Sequence, residues 1–177
     1  FKELDGGGNT GFLRGEFMLK GMMQSDPLET VYHRADVKVG YALETSHETY
    51  LGLTDADFRT QPNRRYAASA LDRMQNDRLQ LQLGYKLDVG DWLDVTAIGY
   101  RHSYDRTWRK LGHFQGGPTL SEILASPDSG NRAVRYSILT GGEDSNQDAL
   151  DEALMIGTNA RGYESQGFAV QGRVAFG

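Results

Sequence analysis

The chain has 177 residues, 19 Lys plus Arg against 24 Asp plus Glu, a formal net charge of −5, and no cysteine. The absent thiols exclude a disulfide framework and a thiolate metal site, and the mixed signs argue against a nucleic-acid arm or a polybasic membrane patch. Mean hydropathy is −0.55; no apolar run reaches the ~20 residues of a membrane helix, and no charged segment leads into an apolar stretch as in a signal peptide.

With 22 glycines and 4 prolines, the composition suits a β-protein with many turns. The Gly6-Gly7-Gly8 run lacks the Lys-Ser/Thr of a phosphate loop and reads as a turn. Residues 12–23 then alternate, with Leu13, Phe17, Leu19 and Met23 against Arg14, Glu16 and Lys20. From Val31 to Glu44 the odd positions give Val31, His33, Ala35, Val37, Val39, Tyr41 and Leu43. The even positions hold Arg34, Asp36, Lys38 and Glu44, so one face of that strand is free of charge. Residues 48–69, ETYLGLTDADFRTQPNRRYAAS, keep neither period and read as an irregular loop; Tyr50, Leu51, Leu53 and Phe58 are expected to form a small core of its own.

Alternation returns sharply at 77–88. Leu79, Leu81, Leu83, Tyr85 and Leu87 oppose Arg78, Gln80, Gln82, Lys86 and Asp88. A further strand is expected at 92–108, where two apolar sets compete: Leu93, Val95 and Ala97 in one phase, Thr96, Ile98, Tyr100 and Tyr104 in the other. A bulge would reconcile them. Thr119-x-x-Glu122 is a capping box that predicts a short helix over 119–126, and GGEDSNQD at 141–148 reads as a loop tip without the spacing of a calcium loop. The last strand, Leu154 to Phe176, places Phe168, Val170, Gly172, Val174 and Phe176 opposite Arg161, Tyr163, Ser165, Gln171 and Arg173. Its clean apolar band is about nine residues long, and a tilted strand needs ~9–11 to cross a bilayer.

The connections alternate in length: QSDPLET at 24–30, the long stretch 45–76, Val89-Gly90-Asp91, then the long stretch after Arg109. Short turns on one rim and large loops on the other are the habit of outer-membrane barrels. A soluble sheet with one buried face would show the same alternation, but it seldom gathers its long loops at one end. The expected fold class is therefore all-β, an antiparallel up-and-down transmembrane β-barrel segment with long extracellular loops. Five strands are too few to close even a small barrel, which takes about eight.

Four stretches resemble segments of TonB-dependent outer-membrane receptors, in the branch of ferric-dicitrate and siderophore transporters. They are ETYLGLTDADF at 48–58, NRRYAAS at 63–69, RHSYDRTWRK at 101–110 and NARGYESQGFAVQ at 159–171. The last is similar to that family's Asn-x-Arg-x-Tyr-x-Ser-x-Gly strand, here Asn159, Arg161, Tyr163, Ser165 and Gly167; GGGNTGF at 6–12 is compatible with it. The resemblance implies a barrel of about 22 strands with a plugged lumen, of which residues 1–177 would be a mid-barrel part without plug domain, TonB box or closing strands. It further implies the bacterial outer membrane as location, membrane lipid as surroundings, a ferric chelate as ligand, and the TonB complex as a partner reached through the missing N-terminal region. No nucleic acid, no enzymatic activity and no cofactor is implied, iron entering only within the transported chelate.

Within that frame, Arg64 and Arg65 are candidates for an anionic chelate, because guanidinium pairs carboxylates in a bidentate way. The alternative, that they pair with Asp55, Asp57 or Asp72 and hold the loop in shape, is the favoured one. Arg106 and Arg109 are rim charges that could contact ligand, and Trp108 is expected in the interfacial aromatic girdle. His33, His47, His102 and His113 have no metal-ligand spacing, and His102-Ser103 lies in no nucleophile elbow. Capture of a ferric chelate is the leading functional expectation; a passive channel or a small-barrel enzyme are the alternatives.

Overall fold

A computed structural model of the chain describes residues 3–176. Two short strands, β1 (Glu3–Leu4) and β4 (Arg64–Arg65), pair in parallel, Glu3 with Arg64 and Leu4 with Arg65. Five long strands form a single sheet: β2 (Phe12–Gln24), β3 (Val31–Ser46), β5 (Arg73–Val89), β6 (Leu93–Phe114) and β7 (Leu154–Val174), in the order β2-β3-β5-β6-β7. Long strands adjacent in sequence are adjacent in the sheet, so it is an open, antiparallel meander. The protein is thus mostly antiparallel β-sheet, in the strands the alternation predicts.

β6 runs beyond the expected end at Trp108, and the added residues are held at the strand's far end. The Leu111 N–H donates to Asp72 Oδ1 at 2.6 Å, and the Gln115 N–H to the Ala153 carbonyl at 2.9 Å. Three helices occupy the long connections: α1 (Asp55–Thr60), α2 (Leu120–Ala125) and α3 (Arg132–Thr140). The capping box at α2 is present in full, with Thr119 and Glu122 each bonding the other's backbone N–H. α1 lies inside the stretch read as irregular and is started by Thr54, whose hydroxyl accepts from the Asp57 N–H.

The molecule divides into two compact units. A loop unit comprises the described residues to Leu13, Glu44–Gln75 and Arg106–Ala160; a sheet unit comprises Arg14–Leu43, Asn76–Asp105 and the residues from Arg161 onward. Among the described residues every buried side chain belongs to the loop unit. Its apolar centre is Leu111, Phe114, Ile123, Ile138 and Leu139, with Leu51, Leu120, Leu124 and Val134 packed around them. The expected core of Tyr50, Leu51, Leu53 and Phe58 is corrected in part: Leu51 joins the centre, whereas Tyr50 and Phe58 are 71% and 61% exposed. The six-residue helix α1 buries none of its side chains, and Phe58 is among those left exposed.

In the sheet unit, contacts across the strands fix which residues share a face. A Cβ on Gly40 would meet Gln80, one on Gly84 would meet Asp36, and Arg78 lies over Tyr104. Tyr104 in turn stacks on Tyr163. Lys38, Gln80, Tyr104, Tyr163 and their alternates therefore make one polar face. On the opposite face Gly21 lies against Val37 and Gly99 against Phe168. The same pairing of β6 with β7 holds from Gly99–Phe168 through Asp105–Gly162 to Gly112–Met155, so no bulge interrupts it. The ambiguity at 92–108 resolves accordingly: Leu93, Val95 and Ala97 belong to the apolar face, and Thr96, Ile98, Tyr100 and Tyr104 to the polar one. Gly167 explains how so many rings fit there, since a Cβ at that position would sit 2.6 Å from the Tyr100 ring.

The apolar face is uncovered. Phe17, Leu19, Met23, Val37, Leu79, Leu83, Phe168 and Val170 are all exposed. Charge reaches it only at one border, where Asp77 stands and Arg101 meets Glu164 at 3.0 Å. At the other end His33 Nδ1 and the Tyr85 hydroxyl lie 2.7 Å apart.

Candidate functional site

The four arginines singled out from sequence do not form one site. Arg64 is held by two carboxylates, with Nε donating to Asp5 at 3.0 Å and Nη1 to Asp57 at 2.7 Å, and it rests 5.1 Å over the Tyr66 ring. The Asp5 hydrogen bond dominates in holding its guanidinium well above the usual range, so it stays charged. Arg65 is buried. It donates to the Ser69 hydroxyl at 2.8 Å, to the Ser69 carbonyl at 2.7 Å and to the His47 carbonyl. Burial pushes its pKa down. Both side chains are thus held within the loop unit, through Asp57 as expected but through Asp5 and Ser69 as well; Asp55 instead takes Arg59 at 2.8 Å.

Asp57 joins two loops. Besides Arg64 it accepts from the Tyr66 hydroxyl at 2.5 Å and from the Tyr136 hydroxyl of α3 at 2.6 Å, while the two rings meet edge-on at 5.8 Å. Burial alone would raise its carboxyl; the two phenols and the Arg64 charge outweigh that and hold it below the usual range. Asp72 has the opposite balance. Its oxygens accept from the Thr49 hydroxyl at 2.5 Å and the Leu111 N–H at 2.6 Å, yet burial prevails and pushes the carboxyl up.

Arg106, Trp108 and Lys110 alternate on β6 and so project to one side of it, with Arg109 exposed on the other. The Tyr50 ring packs on Trp108 with centroids 4.6 Å apart. Lys110 Nζ lies 5.2 Å from the Tyr50 ring and 5.3 Å from Trp108, and the Arg106 guanidinium 5.7 Å from the same indole. This corrects the placement of Trp108 in an interfacial girdle: it has the parity of Tyr104, a polar-face residue, and is sandwiched by cations and a phenol. Arg106 Nε and Trp108 Nε1 are buried with no hydrogen-bond partner. Unsatisfied buried donors call for an acceptor, and two of them beside an ammonium group suit an anion. Of the four candidates, Arg106 is the one whose surroundings can do binding chemistry.

Sequence reasoning missed α3 and with it Tyr136 and the buried Arg135, whose Nη2 reaches Asp151 at 2.7 Å. A signal was present: Val134, Ile138 and Leu139 share a helical face, and Gly141 ends the helix in the left-handed conformation with φ 86°. A Cβ there would also stand 2.8 Å from Ala67. No family model, no curated protein and no solved structure matches the chain.

Proposed function

We propose that the chain forms five strands of the wall of a bacterial outer-membrane barrel of the TonB-dependent receptor class, and that its long loops take part in capturing a ferric chelate. The observation that carries this reading is the uncovered apolar face. A sheet that exposes an unbroken apolar surface needs a cover, and acyl chains supply one. From Leu79 to Leu87 the face spans about 27 Å of strand, which at a tilt of roughly 40° accounts for most of the ~25 Å apolar band of such barrels. The opposite face carries ion pairs, Arg34–Asp36 at 2.9 Å and Lys86–Asp88 at 2.7 Å, suited to a wet or protein-filled interior. Arg106, Lys110 and Trp108 are the residues proposed to meet the chelate.

The test uses the absence of native cysteine. Single thiols at Leu81, Leu83, Gln80 and Gln82 would be spin-labelled after folding the chain into phosphatidylcholine vesicles. Labels at 81 and 83 are expected to be accessible to oxygen and shielded from a water-soluble relaxant, with the reverse at 80 and 82. Equal aqueous access on both faces would sink the membrane reading. For ligand capture, Trp108 fluorescence in a Trp92→Phe background should be quenched saturably by ferric citrate, and Arg106→Gln should weaken that. A passive channel would give unsaturable quenching.

A further inference from the structure

We infer that His33 and Tyr85 form a docking point for a zwitterionic aminophospholipid, whose phosphate meets that pair while its ammonium group lies toward the acidic short turns. The docking point rests on the membrane reading of the apolar face, and adds where and with which headgroup that face leaves the hydrocarbon.

His33 and Tyr85 are exposed polar side chains on the apolar face, among Val31, Ala35, Leu83, Leu87 and Ala97. The imidazole Nδ1 lies 2.7 Å from the phenol oxygen, with the ring centroids 6.1 Å apart. A phenol that donates to Nδ1 keeps the imidazole proton on Nε2. No described residue bonds that Nε2. Its N–H needs an acceptor that hydrocarbon cannot supply, and a phosphate oxygen at the membrane surface can. Ser25 holds the strand in place there, its hydroxyl accepting from the His33 N–H at 3.0 Å.

The pair stands at an edge of the apolar band. The register that sets Gly40 beside Gln80 and Asp36 beside Gly84 places His33 across from Leu87. From Asp77, a charge at the other border, to Leu87 is about 34 Å of strand. At a tilt of roughly 40° that is about 26 Å, the height of the apolar band of a membrane barrel. The band also slants. On β6 charge starts at Arg101, across from Leu81, while on β7 apolar residues run on to Val174, past the level of His33. Both edges shift the same way across the sheet, as tilted strands in a flat layer require.

The short turns select the headgroup. Before Val31 the chain turns through QSDPLET, and after Val89 through Gly90-Asp91-Trp92. These turns hold Asp26, Glu29 and Asp91 and no Lys or Arg. Arg34, Lys86 and Arg173 belong to the polar face, where Asp36 and Asp88 hold the first two. Going outward from the hydrocarbon, the rim thus offers hydrogen-bond donors first and carboxylates second. A phosphatidylethanolamine headgroup has phosphate first and ammonium second, which matches that order. A phosphatidylglycerol headgroup would meet the same carboxylates with no cation of its own.

The test folds the full chain, with isotope-labelled histidine, into vesicles of digalactosyl diacylglycerol, a lipid without phosphorus, containing either phosphatidylethanolamine or phosphatidylglycerol. Solid-state NMR then reads dephasing of imidazole nitrogen by lipid phosphorus, the His33 signal being the one lost in His33→Gln. Dephasing at His33 is expected with phosphatidylethanolamine and none at His102 on the polar face. It should fall at least twofold with phosphatidylglycerol, and at least twofold in Tyr85→Phe, with strand content by circular dichroism unchanged. A spin label at Leu83 in the same vesicles separates the two readings. Oxygen access at 83 without dephasing at His33 overturns the docking point alone, as does dephasing equally strong with phosphatidylglycerol or in Tyr85→Phe. Aqueous access at 83 overturns the membrane reading along with it.

Discussion

The loop unit is irregular in backbone yet holds all the buried side chains among the described residues, whereas the sheet unit is regular and buries none. The loop unit meets both demands of folding largely from within, with Arg106 Nε and Trp108 Nε1 as its buried exceptions among the described residues. Leu111, Phe114, Ile123, Ile138 and Leu139 exclude water, and buried Asp72, Arg65 and Arg135 find partners among its own atoms. The sheet unit satisfies only its backbone, through the ladder, and leaves both faces to whatever surrounds it. Regular secondary structure and a hydrophobic core are thus separable, and the medium must supply what the sheet lacks.

The largest effect should come from the loop unit's centre. Leu139 is fully buried, and Leu139→Ala should cost about 2–5 kcal/mol, read as faster hydrogen exchange in 115–153 with the sheet amides still protected. Loss of protection in both units together would break the contrast. Next, Phe168→Arg should cost about 2–4 kcal/mol in urea titrations of folding into lipid vesicles, while Gln171→Arg on the other face should cost far less. Equal costs would remove the distinction between the faces.

A smaller effect is expected at Asp57. Asparagine keeps an acceptor but loses the charge facing Arg64, so Asp57→Asn should cost about 1–2 kcal/mol, followed by Trp108 fluorescence. The pH dependence sharpens this. Asp57 titrates below its ordinary 3.8 in the folded chain, so its contribution is present above that value and lost as pH falls through the lower one. Asp72 titrates above the same 3.8, so its contribution is complete below that value and lost as pH rises through the higher one. Asp57→Asn should therefore flatten the acid limb, and Asp72→Asn should flatten a slope of opposite sign at higher pH. The smallest effect is at α2, where Thr119→Ala removes one side of an exposed capping box and should cost about 1 kcal/mol, seen as amide exchange confined to 120–125.

The sheet was legible because a period of two leaves a long trace. Leu79 to Leu87 and Phe168 to Phe176 announce their faces, and Asn159, Arg161, Tyr163, Ser165 and Gly167 share one face for the same reason. At 92–108 the pattern failed because Ile98 and Tyr100 are apolar side chains on a polar face, where Tyr100 packs over Gly167 rather than into a core. The loops were less legible. Thr119 with Glu122 is a local signal and was readable; the Asp57–Tyr136 bond joins residues far apart in the chain and leaves no local trace. Trp108 was misplaced because an aromatic residue near a strand end looks the same whichever face it takes.

One carboxylate, Asp57, closes two loops at once, and this bears on how such a molecule can diversify. A substitution at Asp57, Tyr66 or Tyr136 disturbs both connections together, so these positions have little freedom to drift. Tyr50, Phe58 and the tip at 143–148 are exposed and stand outside that network. On the proposed function, new ligand preferences should therefore arise at those outward positions first, with the knot beneath them inherited unchanged.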